Sequence, residues 1–376
     1  MPEGNLSRTE TDNIDRHFND LDGKITLGID GYIDEVWRIV ASRDSRSDRV
    51  FFEKMADFAK AVCDRETGGY SNEIVRKRRG HGGFTANTGR AVGRLGGRAA
   101  LIGMFGKNGL DPAFEELRSV SELISVGDPA VSEVFEFHDG KIMLPHVEDI
   151  MAFSWESLIS AINWDDLRRA FMEAGIIALG YWSLMPAFDE ILGKIRDNFL
   201  EGGMCRRMFF DLADIRKRDG SALLNTLRLL ASLNESVPVT LSLNENEAAL
   251  LFACLGDSFE PGSGEALKAI ERVRRGVGID ELIVHAPRYA AAASASDGAE
   301  EVTQRFCERP VLTTGAGDNF NGGYLAASLP GNGQLGLRER LFVGDAAAGF
   351  YVRNGYPPDR AELCGEIHDV YMEDRK

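Results

Sequence analysis

Residues 313–327 read Thr-Thr-Gly-Ala-Gly-Asp-Asn-Phe-Asn-Gly-Gly-Tyr-Leu-Ala-Ala. The second half of this stretch is rich in small, helix-compatible residues, so we expect the loop of Gly315, Ala316 and Gly317 to enter a helix. Glycines let neighbouring backbone N–H groups converge, and the amino end of a helix adds partial positive charge. The stretch therefore predicts an anion hole suited to a phosphoryl group.

Asp318 lies at the end of this predicted anion hole. A carboxylate in that position can accept a proton from an attacking hydroxyl group, which makes Asp318 a candidate general base. The alternative is an ordinary glycine-rich surface turn in which Asp318 only caps the helix. The loop by itself favours the alternative, so the decision depends on the rest of the chain.

Short β-type runs alternate with amphipathic helical runs over most of the sequence. The predicted strands are 24–30, 99–105, 175–181, 207–211, 237–243 and 281–285, and the predicted helices include 84–95, 189–199, 222–233 and 266–275. Strands rich in Ile, Val, Leu and Phe that alternate with helices predict an α/β fold, a doubly wound and mostly parallel sheet with helices on both faces.

Two regions interrupt this alternation. Residues 131–137 and 141–144 read as a hairpin around Asp139-Gly140, and residues 41–79 contain a probable helix at 50–62. Such insertions are typical of a flap over a site at the strand ends. We therefore expect one domain over residues 1–376 with a small β-containing lid formed by about 32–80 and 128–148.

Composition excludes several classes of protein. The 376 residues include 43 Lys and Arg against 59 Asp and Glu, a formal charge of −16, which argues against nucleic-acid binding. The polar stretch 1–22 lacks the apolar core of a signal peptide, and the apolar stretch 174–188 is too short to span a membrane. Five scattered cysteines without a CxxC pair indicate reduced thiols, so the expected compartment is the cytoplasm.

Several ordered motifs together resemble the ribokinase-like (PfkB) family of carbohydrate and nucleoside kinases. That family has a Thr-Gly-Ala-Gly-Asp loop before a small-residue helix, a Gly-Gly pair followed by Asn, and an Asn-x-x-Glu element. The residues that match are 314–327, Gly82 and Gly83 with Asn87, and Asn244 with Glu247. The resemblance covers about residues 25–355.

On the donor side, the resemblance implies ATP as the phosphoryl donor and Asp318 as the base. The amides of Gly315, Ala316 and Gly317 would stabilise the charge on the transferring group, with Thr314 on the nucleotide side. Glu247 with Asn244 would hold Mg²⁺, through water, because this ion gives up its waters reluctantly. The alternative for Glu247 is an acid in the first turn of a helix, favoured by the helix dipole.

On the acceptor side, Asp34 resembles the family's ligand for sugar hydroxyls, and Asn87 can donate one hydrogen bond and accept another. Gly82 and Gly83 would let the backbone approach the substrate closely. The interval before Asp34 is one residue longer than the family usually has, so Asp30 is a rival for the role.

The sequence departs from the family pattern at two functional positions. Leu312 stands where an Asp that helps to bind a monovalent cation is common, so activation by potassium is not expected. Residues 286–289, Ala-Pro-Arg-Tyr, replace glycines that face the nucleotide. The basic run 76–79, Arg-Lys-Arg-Arg, allows two interpretations, a solvated charged turn or a phosphate-binding group.

The leading functional prediction is an Mg²⁺-dependent kinase that phosphorylates a hydroxymethyl group of a small sugar. A nucleoside is the alternative acceptor, with Phe84, Phe135 and Phe137 as candidates for base stacking or for ordinary packing. A catalytically silent, ligand-binding family member is the third alternative. A homodimer formed through lid edges is an expectation from the family resemblance only.

Overall fold

A computed structural model describes residues 6–65, 68–261, 265–303 and 305–372. Its α-helices are α1 (Arg8–Asn19), α2 (Met55–Cys63), α3 (Phe84–Arg94), α4 (Glu148–Met151), α5 (Trp155–Ala161), α6 (Trp164–Met172), α7 (Phe188–Ile195), α8 (Gly220–Asn234), α9 (Glu245–Cys254), α10 (Ala266–Val277), α11 (Ala316–Ser328), α12 (Leu337–Asn354) and α13 (Arg360–Met372). Its strands are β1 (Lys24–Gly28), β2 (Tyr32–Arg43), β3 (Arg49–Phe51), β4 (Ile74–Gly82), β5 (Arg98–Gly103), β6 (Ser121–Ser125), β7 (Ala130–Phe137), β8 (Gly140–His146), β9 (Ile176–Gly180), β10 (Arg207–Asp211), β11 (Val239–Asn244), β12 (Glu281–Ala286), β13 (Tyr289–Ser294) and β14 (Gly298–Thr303).

The larger sheet has nine strands in the order β14-β13-β12-β11-β10-β9-β1-β5-β6. The strands from β12 to β6 in that order pair in parallel, whereas β13 and β14 are antiparallel. On one side of β1 the strands β9 to β14 follow one another in sequence order, and on the other side β5 is followed by β6. A strand order that proceeds in both directions from the first strand is typical of a doubly wound sheet. The predicted α/β fold class is confirmed.

Helices cover both faces of this sheet because alternate strand residues point to opposite sides. In β9, Ile177 and Leu179 join the core beneath helices α5 to α10, whereas Ile176 and Ala178 join the core beneath α1, α3, α11, α12 and α13. The strand residues are buried on both faces, which explains their nearly continuous apolar sequence.

The smaller sheet contains the inserted segments. Its central strand β2 pairs with β7 in parallel and with β3 and β4 antiparallel, and β7 and β8 form a hairpin. The predicted hairpin matches β7 and β8, and the probable helix begins later than predicted, at Met55. The interpretation of the basic run 76–79 as a turn is wrong, because the run lies within strand β4.

Two global expectations can be compared with the structure. Within the residues that it describes, no helix is long and apolar enough to cross a membrane. All five cysteines are free thiols, as the scattered spacing predicts.

Candidate active site

The predicted site residues come together at the carboxyl ends of the parallel strands. Asp30 follows β1, Asp211 ends β10 and Asn244 ends β11, while Asp318 lies in the first turn of α11. Asp34 comes from the smaller sheet, near the start of β2. The site therefore lies where the larger sheet, the smaller sheet and the amino end of α11 meet.

Residues 315–317, the predicted anion hole, are called the anion loop below. This loop begins at Gly315, the residue before α11. Gly315 has a φ of 86°, a left-handed conformation that glycine adopts without strain. The N–H of Ala316 donates to the Thr313 carbonyl at 3.2 Å. The first amides of a helix have no acceptor within it, so those of Gly317 and Asp318 point out of the amino end of α11. This arrangement suits an anion bound at the amino end of the helix.

Asp318 is held in this loop by Asn87. The Asn87 Nδ2 donates to Asp318 Oδ2 at 2.8 Å. Burial raises the pKa of Asp318 to about 7; the Asn87 hydrogen bond lowers it, and the charges of Asp211, Asp30 and Asp34 raise it. A carboxylate with a pKa near neutrality is well matched to general base catalysis at physiological pH.

The two rival carboxylates, Asp30 and Asp34, both lie close enough to Asp318 for their charges to act on it. Asp30 is fully buried, and its Oδ1 accepts from the Thr85 N–H at 2.9 Å and from the Thr85 hydroxyl at 2.5 Å. Its Oδ2 has no hydrogen-bond partner within the described part of the chain. Burial raises the pKa of Asp30 to about 6 and also raises the pKa of Asp34. The structure thus places both carboxylates, not one, beside the site.

The backbone of Gly82 and Gly83 lies close to these two carboxylates. A Cβ atom built on Gly82 would lie 2.8 Å from Asp34 Oδ2, and one built on Gly83 would lie 2.1 Å from Asp30 Oδ2. The backbone therefore approaches the acids as closely as glycine permits.

The substitution Gly83→Ala is expected to disrupt the acceptor side, because its Cβ would collide with Asp30 and its φ of 89° disfavours alanine. We expect a loss of stability of about 1 to 3 kcal/mol and an acceptor KM raised by at least about tenfold. Urea unfolding and steady-state kinetics measure the two effects. Gly80→Ala is the matched control, since nothing lies within 4 Å of its Cβ; equal effects in both variants would contradict the collision.

Asn244 and Glu247 form a reciprocal cap at the start of α9. The Glu247 N–H donates to Asn244 Oδ1 and the Asn244 N–H donates to a Glu247 carboxylate oxygen, each at 3.0 Å. Burial and the charge of Asp211 raise the pKa of Glu247 to about 8. Burial raises the pKa of Asp211 as well, and Asn321 Nδ2 donates to its Oδ2 at 2.7 Å.

This carboxylate pair fits a divalent cation, because a positive charge between Glu247 and Asp211 would favour the ionised form of both acids. No group of three or more His, Cys, Asp or Glu side chains that could hold a metal ion occurs among the described residues. A site with few protein ligands suits Mg²⁺, which usually keeps several waters. Asp211 belongs to this pair; in the sequence it was only the last residue of the predicted strand 207–211.

Three contacts to the site were not predicted from the sequence. The Tyr351 hydroxyl donates to the Thr314 carbonyl at 2.7 Å, and Lys141 Nζ donates to the Thr314 hydroxyl. His81 Nδ1 lies 3.1 Å from Asn87 Oδ1, which orients the amide that faces Asp318. A signal for His81 was its position directly before the glycine pair, but nothing in the sequence indicated Tyr351 or Lys141.

The altered segment 286–289 is the turn between β12 and β13, where Ala286 pairs with Tyr289. His285 precedes it, half-buried, with its ring stacked on Phe320 at 4.9 Å. Burial lowers the pKa of His285 to about 4, so this ring is neutral at physiological pH. A Cβ built on Gly317 would lie 3.0 Å from it, which places His285 directly against the anion loop.

Residues 9–371 match the family model of the prokaryotic ketohexokinases. The chain belongs to this family. A curated ketohexokinase of Haloferax volcanii is 28% identical over 345 residues, which cover 91% of this chain and 90% of that protein. The ribokinase-like resemblance is confirmed, and the prokaryotic ketohexokinase family makes the protein a carbohydrate kinase, a phosphotransferase with an alcohol group as acceptor.

Solved structures agree with the fold of this ketohexokinase family member. The ribokinase of Arabidopsis thaliana, solved with ribose and ATP, has a TM-score of 0.62 at 17% identity, covering 92% of this chain and 99% of that one. Phosphofructokinase-2 of Escherichia coli, solved with substrates and products, has a TM-score of 0.60 at 16% identity, covering 94% and 100%.

Proposed function

We propose that the protein transfers the γ-phosphoryl group of ATP to a hydroxymethyl group of a ketohexose, with Asp318 as general base. The observation that carries the proposal is the half-buried Asp318 carboxylate, with a pKa of about 7, in the first turn of α11 beside outward-pointing amides. In this arrangement Asp318 takes the proton of the acceptor hydroxyl as its oxygen attacks the γ-phosphorus. The amides of Gly317 and Asp318 stabilise the charge on the transferring group.

The acceptor side supports a polyhydroxylated substrate. Asp30 and Asp34 offer carboxylate oxygens that accept hydrogen bonds from sugar hydroxyls. The unpartnered Oδ2 of Asp30 is buried, so a bound hydroxyl would satisfy an acceptor that otherwise destabilises the site. Both acids therefore act as acceptor ligands in this proposal.

The packing of two of the three aromatic candidates, Phe84 and Phe137, favours a sugar over a nucleoside. Phe84 is buried and stacks on Phe209, with ring centres 6.5 Å apart and an interplanar angle of 10°. Phe137 packs against Phe58 at 6.0 Å. Because core and lid packing engage these rings, neither Phe84 nor Phe137 offers an open face to a base.

Mg²⁺ is proposed as the cofactor, held by Glu247 with Asp211 and, through the cap, by Asn244. When bound, the ion supplies positive charge to the donor phosphates. The cap fixes the Glu247 carboxylate, because one oxygen accepts from the Asn244 N–H.

A cytoplasmic compartment, a lid role for the smaller sheet and a homodimer stay predictions. The free thiols of the five cysteines support the cytoplasmic compartment.

The proposal is tested with purified protein, Mg²⁺ and ATP against a panel that contains D-fructose, other hexoses, sugar phosphates and nucleosides. We expect phosphorylation of a ketohexose at kcat/KM of at least about 10⁴ M⁻¹s⁻¹, and at least about 100-fold lower values for nucleosides. Product NMR identifies the phosphorylated hydroxymethyl group. A nucleoside as the preferred acceptor would replace the proposal, and an inactive panel would favour the silent, ligand-binding alternative.

A further inference from the structure

The charges around the proposed transfer site are unbalanced. The like charges of Asp211, Asp30 and Asp34 raise the pKa of Asp318, and the donor brings further negative charge. The positive groups whose charges act on Asp34 are Arg78, Lys141 and His81. Transfer of a phosphoryl group needs positive charge beside the transferring oxygens, so these few cations are functionally important.

Lys141 is the cation that reaches the anion loop. It lies on β8, where it pairs with Glu136 of β7, and its side chain extends from the smaller sheet to the Thr314 hydroxyl. The hydroxyl of Tyr351, on α12, donates to the carbonyl of the same Thr314 at 2.7 Å. The smaller sheet and the anion loop are thus joined through Thr314.

Lys141 lies between the proposed acceptor ligand Asp34 and the residue before the anion loop, Thr314. Its charge acts on Asp34, an acceptor ligand, while its nitrogen contacts Thr314, directly before the anion loop. A lysine ammonium group has three N–H donors, and Thr314 takes one of them. Two donors remain for a ligand. Lys141 is half-buried, and in such an environment an ammonium group interacts more strongly with a nearby anion than it does in water.

We propose that Lys141 is a further catalytic residue, which contacts the γ-phosphoryl group of the donor and balances its negative charge during transfer. The proposal rests on the proposed function, since it assigns Lys141 to the same reaction. The alternative is that Lys141 only fastens the smaller sheet to Thr314 through packing. The two differ in whether the positive charge itself matters.

The test compares Lys141→Met, which keeps the length of the side chain but removes the charge, with Lys141→Arg, which keeps the charge. Lys24→Met is the control, because Lys24 is a half-buried lysine at the amino end of β1, the strand end opposite to the site, and its Nζ pairs with Glu173 at 3.1 Å. Calorimetry measures the affinities of ADP and of an ATP analogue with a nitrogen between the β- and γ-phosphorus. Steady-state kinetics with D-fructose supply kcat and both KM values.

The ratio of the affinity for the analogue to the affinity for ADP measures the preference for a γ-phosphoryl group. We expect Lys141→Met to lower this ratio about tenfold and to lower kcat about 10²- to 10³-fold. Lys141→Arg should recover most of both, and Lys24→Met should match the wild type. The proposal is overturned if Lys141→Met keeps the preference and the kcat of the wild type, or if Lys141→Arg loses as much as Lys141→Met. If the wild type phosphorylates no acceptor, the proposed function fails, and retention of the binding preference by Lys141→Met alone then overturns this inference.

Discussion

Asp318→Asn is expected to lower kcat by about 10²- to 10⁴-fold, the range that general base catalysis contributes. The amide that replaces the carboxylate cannot take the acceptor proton, but its oxygen can still accept the hydrogen bond from Asn87. The amino end of α11 is unchanged, so ATP affinity should stay within about threefold of the wild-type value. Steady-state kinetics and calorimetry measure both quantities.

The pH profile separates loss of the base from general damage. Burial raises the pKa of Asp318 to about 7, so wild-type kcat/KM should rise with pH and level off above that value, because only the ionised carboxylate is a base. The variant should lack this ascending limb. Its free energy of unfolding at pH 8 should equal or exceed that of the wild type, because a partly buried charge is removed. Wild-type turnover in the variant would exclude Asp318 from the mechanism.

Arg340→Met is expected to destabilise the fold by about 3 to 5 kcal/mol, the usual effect of breaking a buried ion pair. Arg340 Nη2 donates to Glu281 Oε2 at 2.8 Å, and its Nε donates to the Tyr324 hydroxyl at 3.1 Å. Glu281 is fully buried, so the substitution leaves its carboxylate without its closest positive partner. Such a loss is a large part of the 5 to 15 kcal/mol that stabilises a typical domain.

Urea unfolding measures this loss as a lower midpoint at an unchanged slope. Arg272→Met is the matched control, since Arg272 forms an exposed ion pair with Asp257 at 2.9 Å, and we expect less than about 1 kcal/mol there. The double variant Arg340→Met with Glu281→Gln should be more stable than Arg340→Met alone. If Arg340→Met unfolds at the wild-type midpoint, the buried pair does not stabilise the fold.

The sequence was sufficient for the larger parallel sheet, because its strands are apolar on both faces and stand out from the helices between them. It did not indicate the β13–β14 hairpin. The residues Ala290, Ala291, Ala292 and Ala293 are poor strand formers, yet all four are fully buried in β13. Small side chains suit this position since β13 lies between α10 and α12, a tertiary constraint that no local pattern reveals.

The same limit applies to the candidate site. Asp318, Asn87 and Glu247 lie in motifs with local spacing, so their elements were predictable. Lys141 and Tyr351 reach Thr314 from 173 and 37 residues away in the sequence, and such contacts depend on how two sheets and a helix are placed in space. A charged turn was one of two interpretations of the basic run 76–79, because charge dominates its composition, whereas its pairing with β2 makes it a strand.

The two acceptor carboxylates are carried by different sheets. Asp30 follows β1 of the larger sheet, whereas Asp34 belongs to β2, whose pairing with β4, β7 and β3 builds the smaller sheet. In the proposed function the acceptor is therefore held by both sheets, and the smaller sheet also supplies Lys141. A shift of the smaller sheet moves Asp34 and Lys141 together relative to Asp30 and Asp318.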